Sequence, residues 1–259
     1  VASRSSFDIL SIPPPPEADA RITYGEEPLQ FGDLRLPTGD GPHPLVIVVH
    51  GGYWQAIYNL THAGHLCVDL AAHGIASWNV EYRRIGDPGG GYPGTIDDVV
   101  RAFAHVELLS EHYPLDLGAL AAFGHSAGGQ LALLAAARSK LEIRLVVSAA
   151  GVVDLRETNR RGDDKGLITR LLGGSPEEQP QRWQEASPRE QLPLQVRQLI
   201  AVGDTDVHLD PNRSYLEAAR AAGDEIELVV FPGAGHFELV DPETAEWRAI
   251  RAKLEQSLA

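Results

Sequence analysis

From Pro44 onward, unbroken apolar runs alternate with stretches whose apolar residues recur at helical spacing. "PLVIVV" (44–49) is β-branched and continuous, the pattern of a strand buried on both faces. "THAGHLCVDLAAHG" puts Leu66, Leu70 and Ala71 on one helical stripe and stops at Gly74. "IASWNVEYR" reads as the next strand and "IGDPGGGYPG" as the loop after it. "TIDDVVRAFAHVELLSEHY" predicts a helix, with Thr95 as its cap and Asp97 and Asp98 at its positive end. "LGALAAFGHS" is a strand that runs straight into a helix, "AGGQLALLAAARSK". "IRLVVSAAG", "RQLIAVGD" and "IELVVFPGAGH" are further strands; "DPNRSYLEAARAAG" and "DPETAEWRAIRAKLEQSL" are the last two helices.

This alternation predicts a mostly parallel central sheet with helices on both faces, in three layers. Ahead of it, "RITYG" and "LQFGDLRLP" form an antiparallel pair, and the Pro-rich "SIPPPPEADA" marks residues 1–21 as an extended N-terminal arm. The domain proper then covers 22–259. Residues 154–192 break the rhythm into polar, Gly- and Pro-punctuated helical pieces, expected as a small helical cap packed over one end of the sheet. Its few apolar residues, Leu167, Ile168, Leu171, Leu172 and Trp183, suffice for one or two short helices above a site. No repeat of 20–50 residues and no sustained heptad is present.

Composition narrows the partners. A formal charge of −14 over 259 residues argues against nucleic acid or an anionic membrane surface, both of which call for basic patches. No apolar run approaches the roughly 20 residues of a membrane span. The expectation is a soluble chain, in the cytoplasm or, with a trimmed leader ahead of Val1, exported. Cys67, the single cysteine, cannot form an intramolecular disulfide; set among Leu66, Val68 and Leu70, it reads as a buried inert thiol.

The chemistry begins at "GHSAG", residues 124–128, where Gly124 and Gly128 flank Ser126 between a strand and a helix. A sharp strand-to-helix turn leaves no room for β-carbons beside its apex, so Ser126 is expected there as an exposed nucleophile. Its hydroxyl needs a base, and His236 follows a predicted strand in "PGAGHFELVDP". The imidazole needs a carboxylate, and "AVGDTDVHLDP" offers three. Asp206 lies where the chain turns inward after the strand; Asp204 is suited to bracing the loop, and Asp210 to capping the helix that starts at Pro211. "HGGYW" closes the earliest long strand, and its glycines let backbone N–H groups approach a developing oxyanion. The expected donors are Ala127 together with Gly52 or Tyr53. His50 is expected to support that loop from beneath. Tyr53, Trp54 and His125 are the candidate substrate-contacting residues, although Trp54 suits a packing role equally well, as Trp183 suits either a lid or a helix anchor.

Three other motifs carry no chemistry. "DTDVHLDPN" resembles a calcium loop but has Leu209 and Tyr215 where the glycine and glutamate belong. "GDPGGGYPG" lacks a P-loop lysine. His62, His65 and His73 have no metal-ligand pattern and read as solvent-facing.

With Ser126, Asp206 and His236 in that order, the chain resembles the α/β-hydrolase superfamily from the arm onward. "HGGYW", "GHSAGG", "GDTD" and "GAGH" are similar to the esterases related to hormone-sensitive lipase and to kynurenine formamidases. "EYRRIGD" departs from the "YRLAPE" usual among those esterases, as does Tyr53 where many carry a third glycine. The resemblance implies acyl transfer through a Ser-His-Asp triad, a small ester or amide substrate, and no metal or organic cofactor. It leaves three function classes open: a short-acyl serine esterase, an arylformamidase acting on a substrate such as N-formylkynurenine, and an inactive binding protein on the same fold.

Overall fold

The computed structural model describes residues 13–259; the beginning of the expected arm, residues 1–12, lies outside them. From Pro13 to Glu17 the arm is fastened down: His65 Nε2 donates to the Pro13 carbonyl (2.8 Å), and Arg35 to those of Pro16 (2.6 Å) and Glu17 (3.1 Å).

The described strands form one eight-stranded sheet in the order β1-β2-β4-β3-β5-β6-β7-β8. They are β1 (Ala20–Thr23), β2 (Phe31–Arg35), β3 (His43–Val49), β4 (Ala76–Val80), β5 (Leu115–His125), β6 (Leu145–Ala149), β7 (Gln198–Gly203) and β8 (Ile226–Phe231). β2 runs antiparallel to both of its neighbours, and every pairing from β4 to β8 is parallel. The expected antiparallel opening and parallel body are both present.

Strand β3 shows why its sequence is apolar throughout. Leu45, Ile47 and Val49 point into one face's core, while Val46 and Val48 point into the other. Helices α2 (Gly94–Ala104), α4 (Ala127–Arg138) and α8 (Leu209–Ala222) cover the first face with Val99, Phe103, Leu131 and Tyr215. Helices α1 (Gly64–Ala72) and α9 (Ala245–Leu258) cover the second with Leu66, Leu70, Trp247 and Leu254. A short helix α3 (Val106–His112) leads into β5. Cys67 is buried in the second core, and burial pushes its thiol up to about 12, as expected of an inert cysteine.

Two cap expectations are corrected. The helix expected to be capped by Thr95 starts at Gly94, so Thr95 sits inside its first turn. There its hydroxyl accepts from the Gly91 N–H (3.0 Å) and donates to the Arg83 carbonyl (2.6 Å). Asp98 turns away from the helix end and pairs with Arg83 (2.7 Å). Helix α8 begins at Leu209, so Asp210 lies in its first turn and does not cap it.

The 154–192 segment forms α5 (Leu155–Arg161), α6 (Leu167–Leu172), α7 (Pro180–Ala186) and a 3₁₀ turn (Pro188–Gln191). Leu167, Ile168, Leu171, Leu172 and Trp183 are all buried, and Ile168, Leu171, Leu172 and Trp183 join the first core. Of the two roles open to Trp183, the structure gives it the anchoring one: its indole N–H holds the Gly174 carbonyl (3.1 Å).

Candidate active site

The chain reverses its direction of sheet growth at β3: β4 is added on one side of it and β5 on the other. The carboxyl ends of β3 and β5 therefore diverge into loops on opposite faces, leaving a crevice where ligands bind in such sheets. "HGGYW" follows β3 and Ser126 follows β5, so both motifs open onto that crevice.

Ser126 has φ 55° and ψ −120°, a backbone conformation disfavoured for any residue with a side chain. The surroundings enforce it. A β-carbon at Gly128 would collide with the Val49 and His50 carbonyls, and one at Gly124 with the Gly128 carbonyl. Ala127 opens α4, so its N–H has no acceptor within the helix and lies at the positive end of the helix dipole. Across the crevice Gly52, Tyr53 and Trp54 have φ of 114°, 54° and 54°.

Loops after β7 and β8 meet on the other side of the serine. His236 Nδ1 lies 2.7 Å from Asp206 Oδ2, and the His208 backbone N–H donates to Asp206 Oδ1 (2.8 Å). The carboxylate can only accept here, so His236 carries its proton on Nδ1 and keeps the Nε2 lone pair. Asp204 accepts from the Gly233 N–H (2.7 Å) and Thr205 donates to the Ala234 carbonyl (2.7 Å), stitching the two loops together. The three aspartates thus separate: Asp206 meets the histidine, Asp204 braces the loop, and Asp210 is exposed in α8.

Burial alone would push the Asp206 carboxyl up. The hydrogen bond and charge of His236, with help from His208, outweigh it and hold the group below its ordinary value. The other histidines nearby are kept neutral. Burial first, and then the proximity of His236, push His208 down to about 4 and His125 well below its ordinary value. Burial and His50 push His62 down to about 3. His125 Nε2–H donates to the His236 carbonyl (2.9 Å), which fixes its tautomer and steadies the loop.

Ser126 and His236 line one small cleft of about 20 Å³ with Gly52, Tyr53, Tyr58, His62, His125 and Phe237. Among the described residues, none from 154–192 is in that lining, while Asp163 and Arg161 lie near enough to His208 to act on its charge. Tyr53 and His125, two of the candidate contacts, are in the lining. Trp54 is not: it is buried, and its indole donates to Gln130 Oε1 (2.9 Å), whose amide in turn donates to the Ala186 carbonyl (2.8 Å). His62, expected to face solvent, stands in the cleft wall with its ring 5.4 Å from that of His50. His65 lies half-buried and His73 exposed, each bonded to a backbone carbonyl.

Beneath the "HGGYW" loop, His50 is stacked on Tyr82 (4.4 Å) and bonded to the Gly51 carbonyl (2.7 Å) and to Glu81 (3.1 Å). Glu81 also pairs with Arg84 (2.8 Å), and Arg84 reaches the Tyr58 carbonyl. The unusual "EYRR" is therefore the buried footing of the loop. Among the described residues one group has metal-ligand spacing: Asp206, His208 and His236, with donor atoms within 4.8 Å of one another. The Asp206–His236 hydrogen bond occupies two of those donors with a proton that a metal would have to displace.

The chain is similar to known hydrolases. Esterase LipC of Mycobacterium tuberculosis is 27% identical over 85% of this chain, which spans 60% of that protein's length. Kynurenine formamidase of Drosophila melanogaster is 22% identical over 78% of the chain and 68% of its own. Esterase B of Lactobacillus rhamnosis superposes with a TM-score of 0.81 over 97% of the chain and 90% of its own, at 19% identity. That likeness shows the α/β-hydrolase fold. Among the described residues no helix is long and apolar enough to cross a membrane. The BD-FAE profile matches residues 33–219, from β2 through most of α8 and so across both Ser126 and Asp206; the chain belongs to the BD-FAE family.

Proposed function

We propose that this chain is a serine carboxylesterase acting on short acyl groups, with Ser126 as nucleophile, His236 as base and Asp206 as its orienting carboxylate. The observation that carries this is the 2.7 Å Asp206–His236 bond beside the strained Ser126 turn, all at one crevice. His236 Nε2 takes the Ser126 proton as the oxygen attacks the ester carbonyl. The backbone N–H groups of Ala127 and of Gly52 or Tyr53 meet the negative charge that develops on the carbonyl oxygen. His236 then hands the proton to the departing alcohol, and the acyl-enzyme is hydrolysed by a water activated at the same nitrogen. Asp206, ionised throughout, keeps the imidazole in the tautomer that presents Nε2. The esterase names among its relatives support the reaction class.

Ser126→Ala is the direct test. A fluorophosphonate probe should label the parent enzyme and not the variant, and ester turnover should fall on the order of 10³-fold or more. Turnover near the parent level would remove the assignment, and failure of the parent to label would favour an inactive binding protein. The kynurenine formamidase relatives favour arylformamide hydrolysis as the second substrate class. Comparing p-nitrophenyl acetate with N-formylkynurenine decides between them.

A further inference from the structure

The small cleft adjoins a second, larger space. His62 and Phe237 belong to its wall and also to the wall of a larger cavity of about 440 Å³. That cavity runs between α1, which offers Val68 and Ala72, and the segment after His236, which offers Val240 and Pro242. From His65 to Ala72 the helix rises about 10 Å at 1.5 Å per residue, so the groove is long enough for a chain of several carbons. Most of its lining is apolar, and the acidic side chains along it are Asp69, Asp241 and Glu243.

We propose that this groove holds the leaving group of the substrate, an elongated, uncharged and mainly apolar alcohol, while the small cleft holds a short acyl group. The inference rests on the esterase reading above and adds the alcohol side of the substrate to it. Direction follows from proton transfer. The departing oxygen must lie against the nitrogen that protonates it, so the alcohol leaves on the His236 side of the serine. Phe237 stands there, its ring 4.9 Å from the His236 imidazole, in the wall of both spaces. His62, half-buried, is the second residue in both walls. Asp69 is paired with Arg251 (2.6 Å), and the chain's net charge of −14 disfavours an anionic alcohol.

Two homologous series test this by pH-stat: acetates of ethanol, butanol, hexanol and octanol, and ethyl esters from acetate to octanoate. In the parent enzyme kcat/KM should rise along the alcohol series, by up to about fourfold per methylene buried, and should fall along the acyl series. Val68→Trp, midway along the groove, should cut octyl acetate at least tenfold on that same per-methylene scale and leave ethyl acetate within about twofold. Ala72→Trp, at the far end, should penalise octyl acetate and spare butyl acetate; unchanged thermal midpoints confirm that each variant folds. A Val68→Trp enzyme impaired on ethyl octanoate but not on octyl acetate would assign the groove to the acyl chain and overturn the proposal. Equal activity of parent and folded variants on both series would overturn it as well. Retained turnover in Ser126→Ala would strike the nucleophile assignment alone, because the chain-length readout does not depend on which residue attacks.

Discussion

His208 gives the sharpest quantitative test of the site's electrostatics. It is 6% exposed, its Nδ1 has no hydrogen-bond partner, and burial with the neighbouring His236 pushes it down to about 4 from an ordinary 6.5. The sign follows from proton binding: below pH 6.5 the unfolded chain takes up a proton here that the folded chain refuses. Stability contributed by the neutral form is therefore complete above pH 6.5 and is lost as pH falls from there towards 4. At 1.36 kcal/mol per pH unit, the loss between pH 7.5 and pH 5 amounts to about 2 kcal/mol from this side chain. His208→Phe keeps a ring in the same space and the backbone N–H that binds Asp206, and removes the titration. Urea unfolding followed by tryptophan fluorescence at pH 7.5, 6 and 5 should show parent and variant converging, the variant gaining about 2 kcal/mol relative to the parent by pH 5. A difference that stays constant across the three pH values would mean that His208 titrates normally and that the packing around His236 is looser than the geometry implies.

Asp206→Asn should cost on the order of 10⁴ in turnover by offering the imidazole the wrong partner, whereas Asp204→Asn, which touches the Gly233 N–H, should cost far less. An enzyme more sensitive at 204 would move the carboxylate role by two residues. Trp54→Phe should lower unfolding stability by about 1–3 kcal/mol, because Gln130 Oε1 loses its donor in a dry environment. A loss within about 0.5 kcal/mol would show that water replaces the indole N–H. Across p-nitrophenyl esters of two to sixteen carbons, rates should peak at acetyl to butyryl; a maximum at ten carbons or beyond would show a long acyl groove.

What the sequence could reveal of the site depended on how local each constraint is. Ser126 is legible because its turn demands glycine on both sides, a requirement written within five residues. Asp206 and His236 follow from strand ends, since β7 stops at Gly203 and β8 at Phe231 and each loop must then turn in over the sheet. His62 was not legible. Its place in the cleft is set by the short 3₁₀ turn Leu60–Ala63 docking on the second core and by its ring meeting that of His50, contacts with no local signature. The cap assignments of Thr95 and Asp210 each missed by two residues because both helices start early, and polar side chains near a helix start have uses other than capping.

The 154–192 segment shows how polarity misleads about position. Its charged runs suggest a solvated lid, yet its few apolar residues go into the core on the face shared with α4, and Arg138, Gln130 and Tyr92 tie α6 and α7 down from outside the segment. Those ties lead back to the "HGGYW" loop, since Gln130 joins the Ala186 carbonyl to Trp54. The segment thereby braces that loop, and among the described residues none of it is in the cleft's lining. The larger space next to the cleft lies between α1 and the chain after His236. On the proposed reading, discrimination among substrates falls to Tyr53, His62 and Phe237 around the cleft and to the groove that His62 and Phe237 border, which follows from how the insertion's apolar residues are used and not from its charge.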